Sequence, residues 1–173
     1  MVMSIAYDSQ RHRLYAATNG GGVQMLDLTA HEITPLSKYG DFNVWVSSLY
    51  CDPMGIVWCG TVSETFLFNP STLQLKVFSF EEIGNMAAQC FGTDGHDLLI
   101  GTNEGLFKYD MRKSQARMIL PGRNVMSMET TDSDIWLATT SGIVRIDKKT
   151  NMPHTYTSFG GYYIGDFHKA ASY

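Results

Sequence analysis

The chain has 173 residues, 44 % of them hydrophobic, which is length and apolar material enough for one sizeable core. A formal net charge of −4, with Lys and Arg scattered along the chain, excludes the basic face of a nucleic-acid binder. No apolar run approaches the roughly 20 residues that cross a bilayer, and "MVMSIAYDSQ" has neither the basic end nor the apolar block of a signal peptide; the chain reads as soluble, a reading compatible with a secreted parent.

In chain order, the first predicted strand is "SIAYD", ending at Asp8, followed by a turn and "LYAAT" at 14–18. The glycine-rich "TNGGGV" at 18–23 precedes no helix that would hold a phosphate at its N-terminus, so it reads as a hairpin turn into "VQMLD". A more polar strand, "EITPL", comes next. The same order then returns three times: "VSSLYCD", "VWCGT", "TFLFN", "LQLKVFSF"; "MAAQCFGTD", "LLIGT", "GLFKYD", "QARMIL"; "VMSMETTD", "IWLAT", "GIVRID", "HTYTSF".

Thr18, Thr61, Thr102 and Thr139 mark the copies, separated by 43, 41 and 37 residues. Each follows a short apolar run with a small residue just before the threonine (Ala17, Gly60, Gly101, Ala138) and a large one two places earlier (Tyr15, Trp58, Leu99, Trp136). Residues two apart share a face of a strand, so bulk alternates with room for a neighbour's bulk. That suits a strand covered by other sheets on both faces. Gly105 and Gly142 fall at a tight hairpin, and Asp27, Asn69, Asp110 and Asp147 close the third strands, where Asx side chains favour turns. A period of about 40 residues carrying four antiparallel strands, from a small-residue inner strand to a polar outer edge, predicts β-propeller blades.

The composite D-x-x-G-x-(L/V)-W-(x)-G-T-x-x-G-L-x-x-(Y/F)-D resembles the regulator-propeller repeat of the periplasmic sensors in hybrid two-component systems of the Bacteroides type. "DPMGIVWCGTVSETFLFNP" and "DGHDLLIGTNEGLFKYD" carry it most clearly, "DSDIWLATTSGIVRID" is close and "DSQRHRLYAATNGGGVQMLD" is the poorest match. Asp166, Phe167 and Ala170 in the tail resemble the acidic-Phe segment that opens a last blade. The resemblance implies a parent with two seven-bladed propellers, an immunoglobulin-like module, a membrane helix and cytoplasmic histidine-kinase, receiver and DNA-binding parts, with the phosphotransfer chemistry outside this sequence.

Little in the chain points to catalysis. His12, His31, His96, His154 and His168 are widely separated, without metal spacing such as HxxxH, and most fall in predicted turns or edges. A propeller lyase would use such a base, and His168 is its best candidate. Glu81 and Glu82 read as a solvated loop. Cys51, Cys59 and Cys90 have no CxxC pair and read as buried free thiols, so neither a metal site nor a disulfide framework is expected, and no cofactor.

Binding is better supported. Loops from each outer strand to the next inner strand share one face of a propeller with the turns between the two middle strands. Those loops mix Tyr39, Phe42, Trp45, Tyr162 and Tyr163 with Asp41, Asn43, Asn85, Arg123 and Asn124. The asparagines serve either as turn caps, with Phe42 and Trp45 packed between blades, or as anchors for sugar hydroxyls beside rings that stack on sugar C–H faces.

The expectation is therefore an all-β chain, a propeller fragment of four consecutive four-stranded antiparallel blades (about 3–37, 44–80, 85–120 and 124–159) with residues 162–173 as the first strand of a fifth. An open arc, or two chains meeting as a homodimer over exposed end blades, is expected rather than a closed four-bladed ring. The expected function is a periplasmic, non-catalytic ligand-sensing module of a membrane-anchored sensor histidine kinase, responding to an oligosaccharide and regulating polysaccharide use. The candidate ligand residues are Asn43, Trp45, Asn85, Arg123, Asn124, Tyr162 and Tyr163. The alternatives are a lyase-type propeller enzyme and a protein-interaction scaffold.

Overall fold

The structure is a computed structural model that describes residues 1–42, 44–80 and 84–164. Four antiparallel sheets follow one another, each with its strands in chain order. The first contains β1 (Val2–Asp8), β2 (Arg13–Thr18), β3 (Gly22–Asp27) and β4 (Glu32–Pro35). In the second are β5 (Val46–Cys51), β6 (Val57–Thr61), β7 (Thr65–Asn69), β8 (Gln74–Phe80) and a short β9 (Gly84–Asn85). The third has β10 (Ala88–Asp94), β11 (Asp97–Thr102), β12 (Gly105–Asp110) and β13 (Gln115–Pro121). The fourth has β14 (Val125–Thr130), β15 (Asp134–Thr139), β16 (Gly142–Asp147) and β17 (Pro153–Tyr156). Each sheet is a propeller blade, and the four correspond to the four sequence repeats. The only helical element among the described residues is a 3-10 turn, Leu36–Tyr39.

Three details depart from the sequence reading. The second blade gains a fifth strand, because the long connection after β8 folds Gly84 and Asn85 back against Phe80 and Ser79. "HTYTSF" is divided: Pro153–Tyr156 completes the fourth blade, whereas β18 (Ser158–Phe159) pairs with β19 (Tyr162–Tyr163) in a separate hairpin. Gly160 and Gly161 turn it with φ of 59° and 85°, the two positive values that a two-residue type I′ turn requires. Tyr162 and Tyr163 therefore pair backwards within this hairpin, and residues 165–173 lie outside the described part, with Asp166, Phe167, His168 and Ala170 among them.

The chain forms two compact units, Met1–Ala88 and Gln89–Tyr173. In the first, Tyr15, Ala17, Val23 and Met25 of one blade pack with Leu49, Val57, Cys59, Phe66 and Phe68 of the next. The Tyr15 and Phe68 rings meet edge to face at 6.3 Å. In the second, Leu99, Leu106 and Leu120 pack with Ile135, Leu137, Val144 and Ile146. Fully burying side chains of this size contributes roughly 1.5–3 kcal/mol each, which is why the apolar five-residue runs dictate the fold.

The repeated threonine has a specific task. Thr102 Oγ1 accepts the amide protons of Glu104 and Gly105, each at 3.1 Å, and donates to the Gly105 carbonyl at 3.0 Å. Thr61 bonds Glu64 in the same way, and Thr139 donates to the Gly142 carbonyl at 2.8 Å. The hydroxyl thus replaces water for the polar groups of a hairpin turn whose ends are buried. Gly142 has φ 119°, and a Cβ there would lie 2.5 Å from the Tyr156 carbonyl oxygen, so close approach of the outer strand fixes glycine as well as backbone angle.

The turns between third and fourth strands also repeat. Asp27, Asn69, Asp110 and Asp147 each accept a backbone N–H two residues on, as expected of Asx turns. The residue four places after each (His31, Leu73, Ser114, Asn151) has φ between 54° and 58°. This left-handed conformation costs a bulky residue roughly 1–2 kcal/mol and asparagine less. Leu73→Asn is therefore expected to raise stability by about 0.5–1 kcal/mol, read as a higher midpoint in urea; an unchanged or lower midpoint removes strain at this turn as an explanation.

Candidate functional site

The loop that carries Trp45 is pinned from below. Leu36 and Phe42 are buried, the Phe42 ring meets Phe66 edge to face at 4.9 Å, and Tyr39 stacks on Phe68 at 5.3 Å. Three anchors in one loop leave Trp45 standing 51 % exposed just before β5. Phe42 is thus core, as the packing alternative had it, whereas Trp45 presents its ring to solvent. Asn43 lies outside the described residues, and Asn85 is placed by its backbone in β9.

In the second unit Arg123 donates from Nη1 to Ser141 Oγ at 2.5 Å, and the Thr140 amide donates to the Asn124 carbonyl at 3.3 Å. Asn124 Oδ1 accepts from Gln89 Nε2 at 2.8 Å, so this side chain is held by an inner-strand neighbour. Tyr162 and Tyr163 are 81 % and 74 % exposed on their hairpin. The carbonyl of the following residue, Ile164, lies 3.3 Å from where a Cβ of Gly142 would stand. The hairpin therefore runs back to the same turn that Arg123 touches.

Both units show why these loops share an end of their sheets. Thr65, just after the β6–β7 turn, donates its hydroxyl to the Met86 carbonyl at 2.5 Å and accepts from the Ala88 amide at 3.1 Å. The Gly122 amide donates to the Glu104 carbonyl at 2.8 Å. Middle-strand turns and the loops leading to the next inner strand are thereby bonded together. Within the second unit this gathers Arg123, Asn124 and the Tyr162–Tyr163 hairpin; Trp45 belongs to the first unit.

The opposite ends of the sheets carry most of the charge pairing. Lys108 Nζ lies 2.6 Å from Asp94 and 3.1 Å from Asp97, and Lys148 Nζ lies 3.1 Å from Asp94. Burial pulls the Asp94 carboxyl up, but hydrogen bonds from Lys108 and Lys148 outweigh it and hold the group below the usual carboxylate range. Asp134, bonded by Ser133 and by Arg145, is likewise lowered. These pairs tie the turns together at this end of the sheets. A shallow depression of about 170 Å³ also opens at this end of the first unit, between Tyr7, Gln10, Tyr50 and Pro53. Sequence reasoning, which looked at the other ends of the strands, did not find it; the only signal was Tyr7, one place before Asp8, and Tyr50, one place before Cys51, near the ends of inner strands.

His12, His31, His96 and His154 are exposed, at turns or an outer strand, and His168 lies outside the described residues. Among the described residues no three or more His, Cys, Asp or Glu side chains are grouped to hold a metal ion. Cys59 is fully buried in β6, where desolvation pushes its thiol up, and burial raises Cys51 to about 11. No helix among the described residues is long and apolar enough to cross a membrane.

No family model and no curated protein matches the chain. Solved structures do. The extracellular domain of the hybrid two-component system BT4673 from B. thetaiotaomicron superposes with a TM-score of 0.73 at 16 % identity, over 89 % of this chain and 22 % of that one. That of BT3049 from the same organism gives 0.73 at 19 % identity, over 99 % and 23 %. A nidogen/laminin complex gives 0.66 at 8 % identity, over 93 % and 65 %. At these identities the likeness is one of fold, and the chain spans less than a quarter of the length of the two sensor domains.

Proposed function

We propose that the chain is part of the ligand-sensing, extracytoplasmic region of a hybrid two-component sensor, and that it contributes to recognition of an oligosaccharide in the regulation of polysaccharide use. The observation that carries this reading is the fold shared with two extracellular sensor domains over nearly the whole chain. The parent is then a membrane-anchored histidine kinase with this region in the periplasm, and this chain itself performs no catalysis.

The ligand face of the second unit is the end of its blades where Arg123, Asn124 and the exposed Tyr162–Tyr163 hairpin gather; in the first unit Trp45 stands in the equivalent loop, Asn85 is placed by its backbone alone and Asn43 lies outside the described residues. Exposed rings offer stacking surfaces for sugar C–H faces, each worth on the order of 1 kcal/mol, and Arg123 and Asn124 supply donors and an acceptor. A tenfold preference of ligand for one signalling state supplies about 1.4 kcal/mol, whereas a near-complete switch needs about 5.5 kcal/mol. Several of these groups must therefore act together.

Calorimetric titration against a panel of host and plant oligosaccharides tests the reading. Tyr162→Ala and Arg123→Ala are each expected to weaken a binding sugar at least about fivefold, the equivalent of roughly 1 kcal/mol, with the melting temperature of the free protein little changed. A sugar that binds both variants as it binds the wild type lies elsewhere on the chain. A panel without any binder removes the oligosaccharide from the reading.

A further inference from the structure

The acidic side chains of the second unit are concentrated at one end of its sheets. The repeat closes turns with aspartate, and antiparallel order brings those turns together: Asp94 ends β10, Asp97 and Asp134 open β11 and β15, and Asp110 and Asp147 end β12 and β16. At that end Lys108, Lys113, Arg145 and Lys148 form ion pairs with them. At the other end the turns between middle strands meet the loops that lead to the next inner strand. There Glu104 and Arg123 are the only charged side chains among the described residues of the unit.

Arg123 is half-buried, and no ion pair joins it to Glu104, although the neighbouring Gly122 amide donates to the Glu104 carbonyl at 2.8 Å. Its Nη1 donates instead to Ser141 Oγ at 2.5 Å, and the Ser141 amide donates to Thr139 Oγ1 at 3.3 Å. A neutral hydroxyl on a hairpin turn thus sets the guanidinium in place, while its charge stays uncompensated and most of its N–H donors stay unspent. Asn124 adds to the same set. Its Oδ1 is engaged by Gln89 Nε2 at 2.8 Å, which leaves both N–H groups of that amide as donors. Residues 89–173 carry as many basic as acidic side chains, so the net charge of −4 belongs to residues 1–88. No excess of negative charge in this unit opposes an anion.

We propose that the oligosaccharide bound at this end of the second unit is acidic, with a carboxylate or sulfate group seated on Arg123 and Asn124 donating beside it. The inference rests on the oligosaccharide reading and narrows it to a chemical class. A guanidinium forms two parallel N–H···O bonds to such a group, and charge-assisted bonds are roughly twice as strong as those a neutral sugar hydroxyl accepts. Arg123 then gains from the acidic sugar what no carboxylate among the described residues supplies. Glu104, one loop away, works against the anion and limits its affinity.

Calorimetric titration of the intact chain with matched pairs tests the class. One pair is a galacturonate oligosaccharide and its carboxyl-reduced counterpart; the other is a sulfated oligosaccharide and its desulfated counterpart. The acidic member of one pair is expected to bind at least about tenfold more tightly than its neutral partner, and to lose that advantage as sodium chloride is raised. Which pair responds distinguishes carboxylate from sulfate. Arg123→Gln is expected to bring the two members of that pair to within about twofold, whereas Arg123→Lys keeps part of the preference because it keeps the charge and loses the fork. Glu104→Gln is expected to strengthen the acidic member alone, by about two- to threefold. Circular dichroism and melting temperature identify a misfolded variant. Equal affinities within both pairs, or a preference that survives Arg123→Gln, overturn the acidic class and leave the oligosaccharide reading standing. So does a wider panel in which only neutral sugars bind; a panel without any binder overturns both.

Discussion

Gly60→Ala is expected to destabilise the first unit by about 3 kcal/mol, the upper part of the range for overpacking. A Cβ at this position would lie 2.1 Å from the Ala88 carbonyl oxygen, 2.3 Å from Ser48 Oγ and 3.0 Å from the Ala88 carbonyl carbon. Two of these atoms are backbone, and Ser48 already donates to that same carbonyl at 3.2 Å. Relief requires moving the chain and breaking a buried hydrogen bond. Gly101 occupies the same place in the third repeat, yet there a Cβ would meet Cys90 Sγ at 2.5 Å and Val125 Cγ1 at 2.8 Å, which are side-chain and not backbone atoms. Gly101→Ala should therefore cost about 1 kcal/mol. Urea unfolding followed by tryptophan fluorescence measures both, and equal losses for the two variants contradict the distinction between backbone and side-chain obstruction.

Asp52→Ala should cost a comparable amount, about 3 kcal/mol. Its buried carboxylate accepts from the amides of Met54 and Ile56 and from Trp58 Nε1, all at 2.9 Å. Each buried donor left without a partner costs roughly 1–3 kcal/mol, offset in part where the turn reopens to water. Asp52→Asn keeps one oxygen for the two amides and loses the second acceptor facing the indole, so about half the effect is expected. The order of urea midpoints, wild type above Asn above Ala, is the observable. An Asn variant as unstable as Ala shows that the two amide bonds contribute little without the charge and the bond to Trp58.

The middle strands and the turns that close the third strands were legible in the sequence. Alternation of large and small residues before a threonine announced the middle strands, because burial on both faces leaves no freedom in those positions. Asx turns were legible for the same reason: one short side chain satisfies amides close by. The threonine's hydrogen bonds to its own hairpin were hidden, since a residue that recurs in a strand is equally well explained by β propensity. Strands of two residues, such as Gly84–Asn85 and Tyr162–Tyr163, carry no periodicity; only the Gly160–Gly161 pair between Phe159 and Tyr162 marked the hairpin. At the candidate site, loop composition pointed to exposed rings, and Trp45, Tyr162 and Tyr163 are exposed. It did not distinguish them from Phe42, whose ring is drawn into the core by the neighbouring Phe66. Nor did it reveal that Asn124 is bonded to Gln89, a contact 35 residues distant in sequence.

The ladders described here join strands that are neighbours in the chain. That connectivity has a kinetic consequence. Each hairpin closes a loop of a few residues, and loop-closure entropy grows only logarithmically with length, so no strand waits for a remote partner before it pairs. The slow encounter is instead the docking of one completed sheet on the next within a unit, through the rows of large and small residues on the middle strands. Substitutions inside a hairpin turn, such as at Thr102 or Asp52, act on the early local step. Those at Gly60, Ala17 or Leu137 act on the later stacking step and accelerate unfolding more than they slow folding. The repeat thus separates the time at which a blade forms from the time at which it becomes part of a propeller.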